Sequence, residues 1–293
     1  MDKSPHWNAQ WDKVEAFTPL QGESIFTQLL DGTSHPASDA ARQRTAIEIG
    51  CFPGQFIDHV AGKGYHVSGI DTYPGVDKLN DWLAARGRLV GGFVQASLAD
   101  FVAAYKGDGF DLVLSLGFVE HFERFCDVLY DHVRLTRVGG RIVVGAPNFA
   151  TPFQRALHHS LDPANLANHV LEAMYPSVWS MFLASVGVDV HYAGNLGGFC
   201  FWAETRLDDP RKTQLQGLMT RLSPMLSTLG TRFNETESGY GVVIGTKVTD
   251  ISVDQHHASR VATHAHAMAR TLSTRDESLS AQYGSFLDYL VEA

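Results

Sequence analysis

Cysteine is scarce in this sequence, cationic charge is in deficit and no long apolar run occurs; each shortage removes a class of protein. Cys51, Cys126 and Cys200 are odd in number, far apart and form no C-x-x-C pair. Neither a disulfide framework nor a structural zinc site is therefore expected. Lys and Arg number 23 against 32 Asp and Glu, a formal net charge of −9. That balance lacks the basic footprint of a nucleic-acid binder, so no nucleic acid is expected as partner or substrate. No stretch reaches the roughly 18 apolar residues of a membrane span. The start, Met1-Asp2-Lys3-Ser4-Pro5-His6, lacks the basic-then-apolar order of a signal peptide. A cytoplasmic chain with no membrane partner is the expectation. His256, His257, His264 and His266 gather near the C-terminal end without cysteines and with few acids nearby, so no metal is expected.

What is present starts at Ala46. Ala46-Ile47-Glu48-Ile49 is a short apolar run fit for a buried strand, and it ends in a loop holding Gly50 and Gly54. Phe56, Ile57 and Val60 then recur at helical spacing until Gly62 and Gly64 stop them. His66-Val67-Ser68-Gly69-Ile70-Asp71 reads as a second strand with an acid at its carboxyl end. Strand, glycine loop, helix, strand and terminal acid describe a nucleotide-binding βαβ unit. The glycines do not follow G-x-G-x-x-G, because Phe52 and Gln55 stand where the second and third glycines would be. A dinucleotide dehydrogenase is disfavoured on that ground.

The pattern Glu48-x-Gly50-x-x-x-Gly54 resembles instead the first motif of class I S-adenosylmethionine-dependent methyltransferases, with Phe52 replacing the middle glycine. A second segment, Ser115-Leu116-Gly117-Phe118-Val119-Glu120-His121, is similar to the stretch after that family's fourth strand. The resemblance implies S-adenosylmethionine as cofactor and S-adenosylhomocysteine as product. It implies a cofactor site formed by Glu48, Gly50, Cys51, Phe52, Gly54 and Phe56, then Asp71 and Thr72, Ser97 and Leu98, and Leu116, Gly117 and Phe118. Gly50 and Gly54 let backbone approach the ligand, the helix after Gly54 presents N–H groups to its carboxylate, and Asp71 can accept from both ribose hydroxyls. Glu48 can favour the ligand's ammonium. Ser97 stands where relatives often carry an acid for the adenine amino group. Asp100 is the other candidate, or only a solvated first-turn acid.

The fold expected is α/β: a Rossmann-like, doubly wound, seven-stranded sheet with an antiparallel last strand, in three α/β/α layers, with helical appendages at both ends. Residues 1–44, with Trp7, Trp11, Phe17 and Phe26, would form an N-terminal helical cap or lid. Residues 45–249 would be the methyltransferase domain. Phe110 to Leu116 reads as a strand buried on both faces, and Arg141 to Gly145 as the next strand after the Val138-Gly139-Gly140 turn. Residues 150–173 read as a polar connection. Val188 to Tyr192 begins a strand that Gly194, Gly197 and Gly198 interrupt, and Tyr240 to Val248 forms the last strand. A helical insertion at 205–238 carries Leu215 to Leu229 at helical spacing with Pro224 kinking it. Residues 250–293 read as a helical pair, one face holding Val261, Ala265, Met268 and Leu272 and the other Leu279, Tyr283, Phe286 and Leu290. Beyond a complete sheet, such a pair either packs on its own domain or joins a partner chain, and a contribution to self-association as a homodimer is the expectation.

The function expected is methyl transfer to O or N of a small-molecule acceptor, a secondary metabolite or sugar, by in-line displacement. The alternative is a catalytically silent S-adenosylmethionine-binding or nucleotide-binding module. Orientation of the acceptor supplies most of the catalysis, and a hydroxyl or protonated amine also needs a base. His121, just after the fourth strand, is the first candidate base, or else a helix-start histidine bonded to backbone. His169 and His159, in the polar connection after the fifth strand, follow. Asn148 either orients the acceptor or caps the next turn.

Overall fold

The seven strands order as β3-β2-β1-β4-β5-β7-β6. The computed structural model describes residues 11–14, 17–33, 42–201, 210–226, 236–249 and 255–292, with Thr228 and Phe233. Trp7, Trp202 and Leu229 lie outside the described residues, as does part of the expected insertion. The elements run α1 (Ile25–Thr33), β1 (Thr45–Ile49), α2 (Gln55–Gly62), β2 (His66–Asp71), α3 (Lys78–Ala85), β3 (Leu89–Gln95), α4 (Leu98–Ala104), β4 (Phe110–Leu116) and α5 (Phe125–Leu135). They continue with β5 (Thr136–Pro147), α6 (Pro152–Leu161), α7 (Pro176–Ser185), β6 (Val188–Phe199), α8 (Pro210–Leu226), β7 (Ser238–Lys247) and α9 (Gln255–Glu292). β1 to β5 are parallel, and β7 runs antiparallel to both β5 and β6.

Alternation along the central strands builds the three layers. Ala46, Leu112, Leu114 and Val143 face Ile57, Val60, Leu29 and Leu30, while Ile47, Ile49, Val113 and Val144 face Phe125, Leu129, Trp179 and Phe182. Every residue of β4 is buried, as a central parallel strand requires. At the amino ends of β1, β4 and β5, buried Asp111 accepts from the Thr45 N–H at 2.8 Å and pairs with Arg42 and Arg137. That clasp leaves the carboxyl ends of the strands open.

Three elements differ from the sequence expectation. The polar connection at 150–173 is largely helical: α6, a single turn at Pro163–Leu166 and a 3₁₀ turn at Leu171–Ala173. β6 runs through its glycines to Phe199 because the ladder to β7 shifts register between Leu196 and Phe199. Gly197 makes the shift possible: its φ is +88°, and a Cβ there would stand 2.5 Å from Ile25 Cγ2 of α1.

The C-terminal pair is one helix, α9. Its buried stripe is Ala258, Ala265, Ala269, Ser273, Asp276, Ser280 and Leu287, whereas Met268, Leu279 and Tyr283 are exposed. Small residues let α9 lie close against α6 and α7. Asp276 accepts from the Tyr175 hydroxyl at 3.0 Å, and Arg155 donates to the Ser273 carbonyl at 3.0 Å. Of the two expected faces, Val261, Ala265 and Leu272 pack on the chain's own domain, while Met268, Leu279 and Tyr283 stay exposed. No helix among the described residues is long and apolar enough to cross a membrane.

Candidate active site

β1 ends where strand order reverses, between β2 and β4, and this is where an open α/β sheet leaves a crevice. The turn after β1 is held from β2. The N–H groups of Gly50 and Cys51 donate to the Ile70 carbonyl at 2.9 and 3.2 Å. Gly50 has φ +71°, and a Cβ there would stand 2.6 Å from Phe118 Cδ2, so only glycine lets the segment after β4 lie against this loop. Asp71 accepts from the Phe52 N–H at 3.1 Å and the Tyr73 N–H at 2.9 Å. Its carboxyl is nevertheless raised above the usual range, because burial outweighs those bonds.

Glu48 is buried, and its Oε2 has no hydrogen-bond partner. Burial first, and the Asp71 charge besides, push its carboxyl well above the usual range, against a bond from the Ile57 backbone. A cationic group on a ligand would offset both effects. The adjacent Cys51 thiol is pushed up by burial as well, so it is no nucleophile.

Every residue expected at the cofactor, from Glu48 to Phe118, borders a single cavity of about 970 Å³. That volume lies at the upper end of the roughly 300–1,000 Å³ of small-molecule sites, enough for a cofactor beside an acceptor. Ser97 reaches it as the N-cap of α4: its Oγ accepts from Asp100 N–H at 3.1 Å and donates to the Asp100 carboxylate at 2.7 Å. Asp100 itself is exposed. The cavity also takes in aromatics of the expected cap and of β7. Trp11 and Phe26 border it, and the Phe26 ring stands edge-on to Tyr240 at 4.9 Å. Trp11 and Phe17 both meet the Phe52 ring at 5.6 Å. Tyr240 is buried, and burial together with Glu120 and Glu48 raises its hydroxyl well above the usual range.

Another part of the cavity lining is polar. Glu120 and His121 occupy a 3₁₀ turn after β4, and His169 follows the single turn at Pro163–Leu166. Backbone ties join the two connections: Val170 N–H donates to the Glu120 carbonyl at 2.7 Å, and His121 Nδ1 lies 3.4 Å from the Asn168 carbonyl. The rings of His121 and His169 are 4.9 Å apart. His121 Nε2 is 3.8 Å from Glu120 Oε1. Glu120 was not among the expected site residues, although it stands next to His121 in the motif.

His159 is not brought there. It is exposed on α6 and does not border the cavity. The helix turns its neighbour His158 inward instead, against Phe149 at 3.8 Å, and burial first and His169 second lower its pKa to about 3. Asn148 lies at the end of β5, where its amide donates to the carbonyls of Thr236 and Ser238 at 2.9 and 2.8 Å and its oxygen accepts from Thr151 N–H. It ties β5 to the start of β7.

Residues 47–144, from β1 into β5, match the family described as a methyltransferase domain. Those residues thus resemble a methyltransferase domain. The ubiquinone biosynthesis O-methyltransferase of Aromatoleum aromaticum is 30% identical over 141 residues, which make up 47% of this chain and 57% of that protein. The chain thus spans little more than half the length of this relative. Among solved structures, an N-methyltransferase from Bradyrhizobium japonicum in complex with S-adenosyl-L-homocysteine superposes with a TM-score of 0.53 at 12% identity, covering 85% of this chain and 100% of that one. Magnesium protoporphyrin IX methyltransferase from Synechocystis gives 0.50 at 12% identity, over 84% and 100%. At that identity the likeness is of fold. Beyond the matched segment, β7 and β6 extend the sheet, and residues before β1 border the cavity.

Proposed function

We propose that the protein transfers a methyl group from S-adenosylmethionine to an oxygen or nitrogen of a small-molecule acceptor, in the cytoplasm. The observation that carries this reading is one cavity lined by Asp71, by buried Glu48, whose Oε2 has no hydrogen-bond partner, and by Glu120, His121 and His169. When bound, the cofactor supplies an electrophilic methyl on a sulfonium and leaves as a neutral thioether. Glu48 and Asp71 give its cationic end an anionic wall, and the N–H groups at the start of α2 face its carboxylate. The Asp71 oxygens keep lone pairs for the ribose hydroxyls. Gly117 and Phe118 hold the reacting end against the loop at Gly50. His121 and His169 orient the acceptor and receive its proton, and orientation alone can contribute about 7–11 kcal/mol.

Residues 1–44 act in this reading as a cap, because Trp11 and Phe26 border the cavity. Residues 45–249 form the catalytic unit and 250–293 an extension that braces it. The printed activities of the relatives, on a quinone precursor in name and on a magnesium porphyrin, favour a small acceptor. Incubation with methyl-tritiated cofactor and a panel of hydroxylated and amino metabolites tests the reading. Label transferred to at least one acceptor supports it. Cofactor binding without transfer to any acceptor or to water would leave a silent binding module.

A further inference from the structure

Glu120, His121 and His169 have donor atoms that all lie within 4.8 Å of one another. The cluster is assembled from two connections distant in sequence, and it borders the cavity. We propose that these three side chains bind one divalent transition-metal ion of the zinc type, which holds the acceptor's oxygen for methyl transfer.

Donor chemistry comes first. Two imidazole nitrogens and one carboxylate oxygen suit Zn²⁺, Co²⁺ or Fe²⁺ better than the all-oxygen shells of Ca²⁺ and Mg²⁺. Two such donors on one tetrahedral ion stand about 3.3–3.5 Å apart, each about 2.0–2.1 Å from the metal. His121 Nε2 and Glu120 Oε1, at 3.8 Å, are close to that separation already.

The tautomers come next. A carbonyl oxygen can only accept, so His169 Nδ1 at 2.8 Å from the Asn165 carbonyl carries the proton. His121 Nδ1 faces the Asn168 carbonyl at 3.4 Å in the same sense. Both rings therefore present Nε2 as the lone-pair nitrogen, the arrangement in which backbone carbonyls orient metal-binding histidines. The Val170-to-Glu120 backbone bond keeps the two connections in register. Packing holds the rings as well: Phe149 meets His169 edge-on at 4.9 Å.

The cavity supplies what a closed structural site would lack. Three protein donors on one side of an ion leave the opposite positions facing the space where an acceptor would lie. An acceptor hydroxyl bound there becomes more acidic, as water does on a bound divalent ion. With both imidazoles held by the ion, they orient the acceptor and its proton leaves to solvent instead of to them, its oxygen forms the new bond to the methyl carbon, and the carbon–sulfur pair stays on sulfur to give the thioether. This role rests on the methyltransferase reading and narrows the acceptor to one that offers oxygen. Ion binding itself does not depend on that reading.

The full chain, stripped with a chelator, should be titrated with Co²⁺ and followed by visible absorption and calorimetry. Binding of S-adenosylhomocysteine is measured on the same samples. The expected result is one Co²⁺ per chain, with ligand-field bands of low coordination number and displacement by Zn²⁺. Glu120→Gln and His169→Asn should each weaken uptake about 100-fold or more, since loss of mere supporting partners already costs about 10–100-fold. His257→Ala, on exposed α9, should leave uptake unchanged and controls for surface histidines. Retained binding of S-adenosylhomocysteine shows that the variants fold. No uptake by the stripped chain, or uptake that Glu120→Gln and His169→Asn leave intact, overturns the site while the cofactor reading stands. Uptake without any binding of S-adenosylhomocysteine keeps the ion site but removes its role in methyl transfer.

Discussion

The ring of His121 lies 4.9 Å from that of His169, tilted by 40°, although the two reach the cavity on separate connections after β4 and β5. The pairing places two imidazoles and the Glu120 carboxylate on the wall of the cavity that Glu48 and Asp71 also line. His121→Ala and His169→Ala should each reduce turnover about 10²-fold or more while binding of S-adenosylhomocysteine is nearly unchanged. Steady-state rates at saturating acceptor, with calorimetry on the same variants, check this. His121→Asn separates orientation from proton transfer by how much rate it restores.

Gly50→Ala tests the close approach of the two loops. A side chain at φ +71° costs about 1–2 kcal/mol, and its Cβ would meet Phe118 at 2.6 Å. Urea unfolding should show the loss, and cofactor affinity should fall as Phe118 is displaced. The double variant with Phe118→Ala should recover the steric part and keep the backbone part.

His132 makes a pH prediction. It is fully buried, with Nδ1 2.7 Å from the Val128 carbonyl and Nε2 2.9 Å from Ser115 Oγ. Burial lowers its pKa from 6.5 to about 4. Between those values the unfolded chain binds more protons than the folded one. Stability contributed by this group is complete above 6.5 and is lost as pH falls towards 4, at about 1.4 kcal/mol per unit. Urea unfolding from pH 4.5 to 7 should show a shallower slope in His132→Gln than in the parent.

Removal of residues 255–293 should destabilise the domain rather than change its association state. Tyr175, Arg155 and the apolar surfaces of α6 and α7 would lose Asp276, Ser273 and the alanine stripe. Thermal unfolding measures the loss. Sedimentation that showed the full chain dimeric and the truncated chain a well-folded monomer would restore the self-association reading.

Local patterns were legible in the sequence and long-range assembly was not. β4 declares itself because both its faces are buried, and the Gly50 loop because strand, turn and helix follow one another directly. β6 was cut short at Gly194 since bulges and breaks carry the same glycines; only the ladder to β7 tells them apart. The buried stripe of α9 is alanine and serine, which a search for large apolar residues passes over in favour of Met268 and Leu279. His158 and His159 differ by one position, and the helix phase that buries the first and exposes the second depends on Phe149 and Phe201. Trp11 and Phe26 are legible as aromatics of a cap, but Tyr240 reaches the cavity from β7, so no spacing announces it. Glu120 was visible in the motif, yet its partner His169 arrives only through the fold.

The most direct measurement of the central claim is calorimetric titration with S-adenosylhomocysteine, with NAD⁺ run in parallel, on the parent and on Asp71→Ala. The parent should bind S-adenosylhomocysteine in the micromolar range and NAD⁺ not at all. Asp71→Ala removes the ribose acceptor and the carboxylate that holds the Phe52 and Tyr73 N–H groups. Its affinity should fall by about 1.5–3 kcal/mol, roughly ten- to a hundredfold. Unchanged affinity in a folded Asp71→Ala variant, or preference for NAD⁺, would contradict the account.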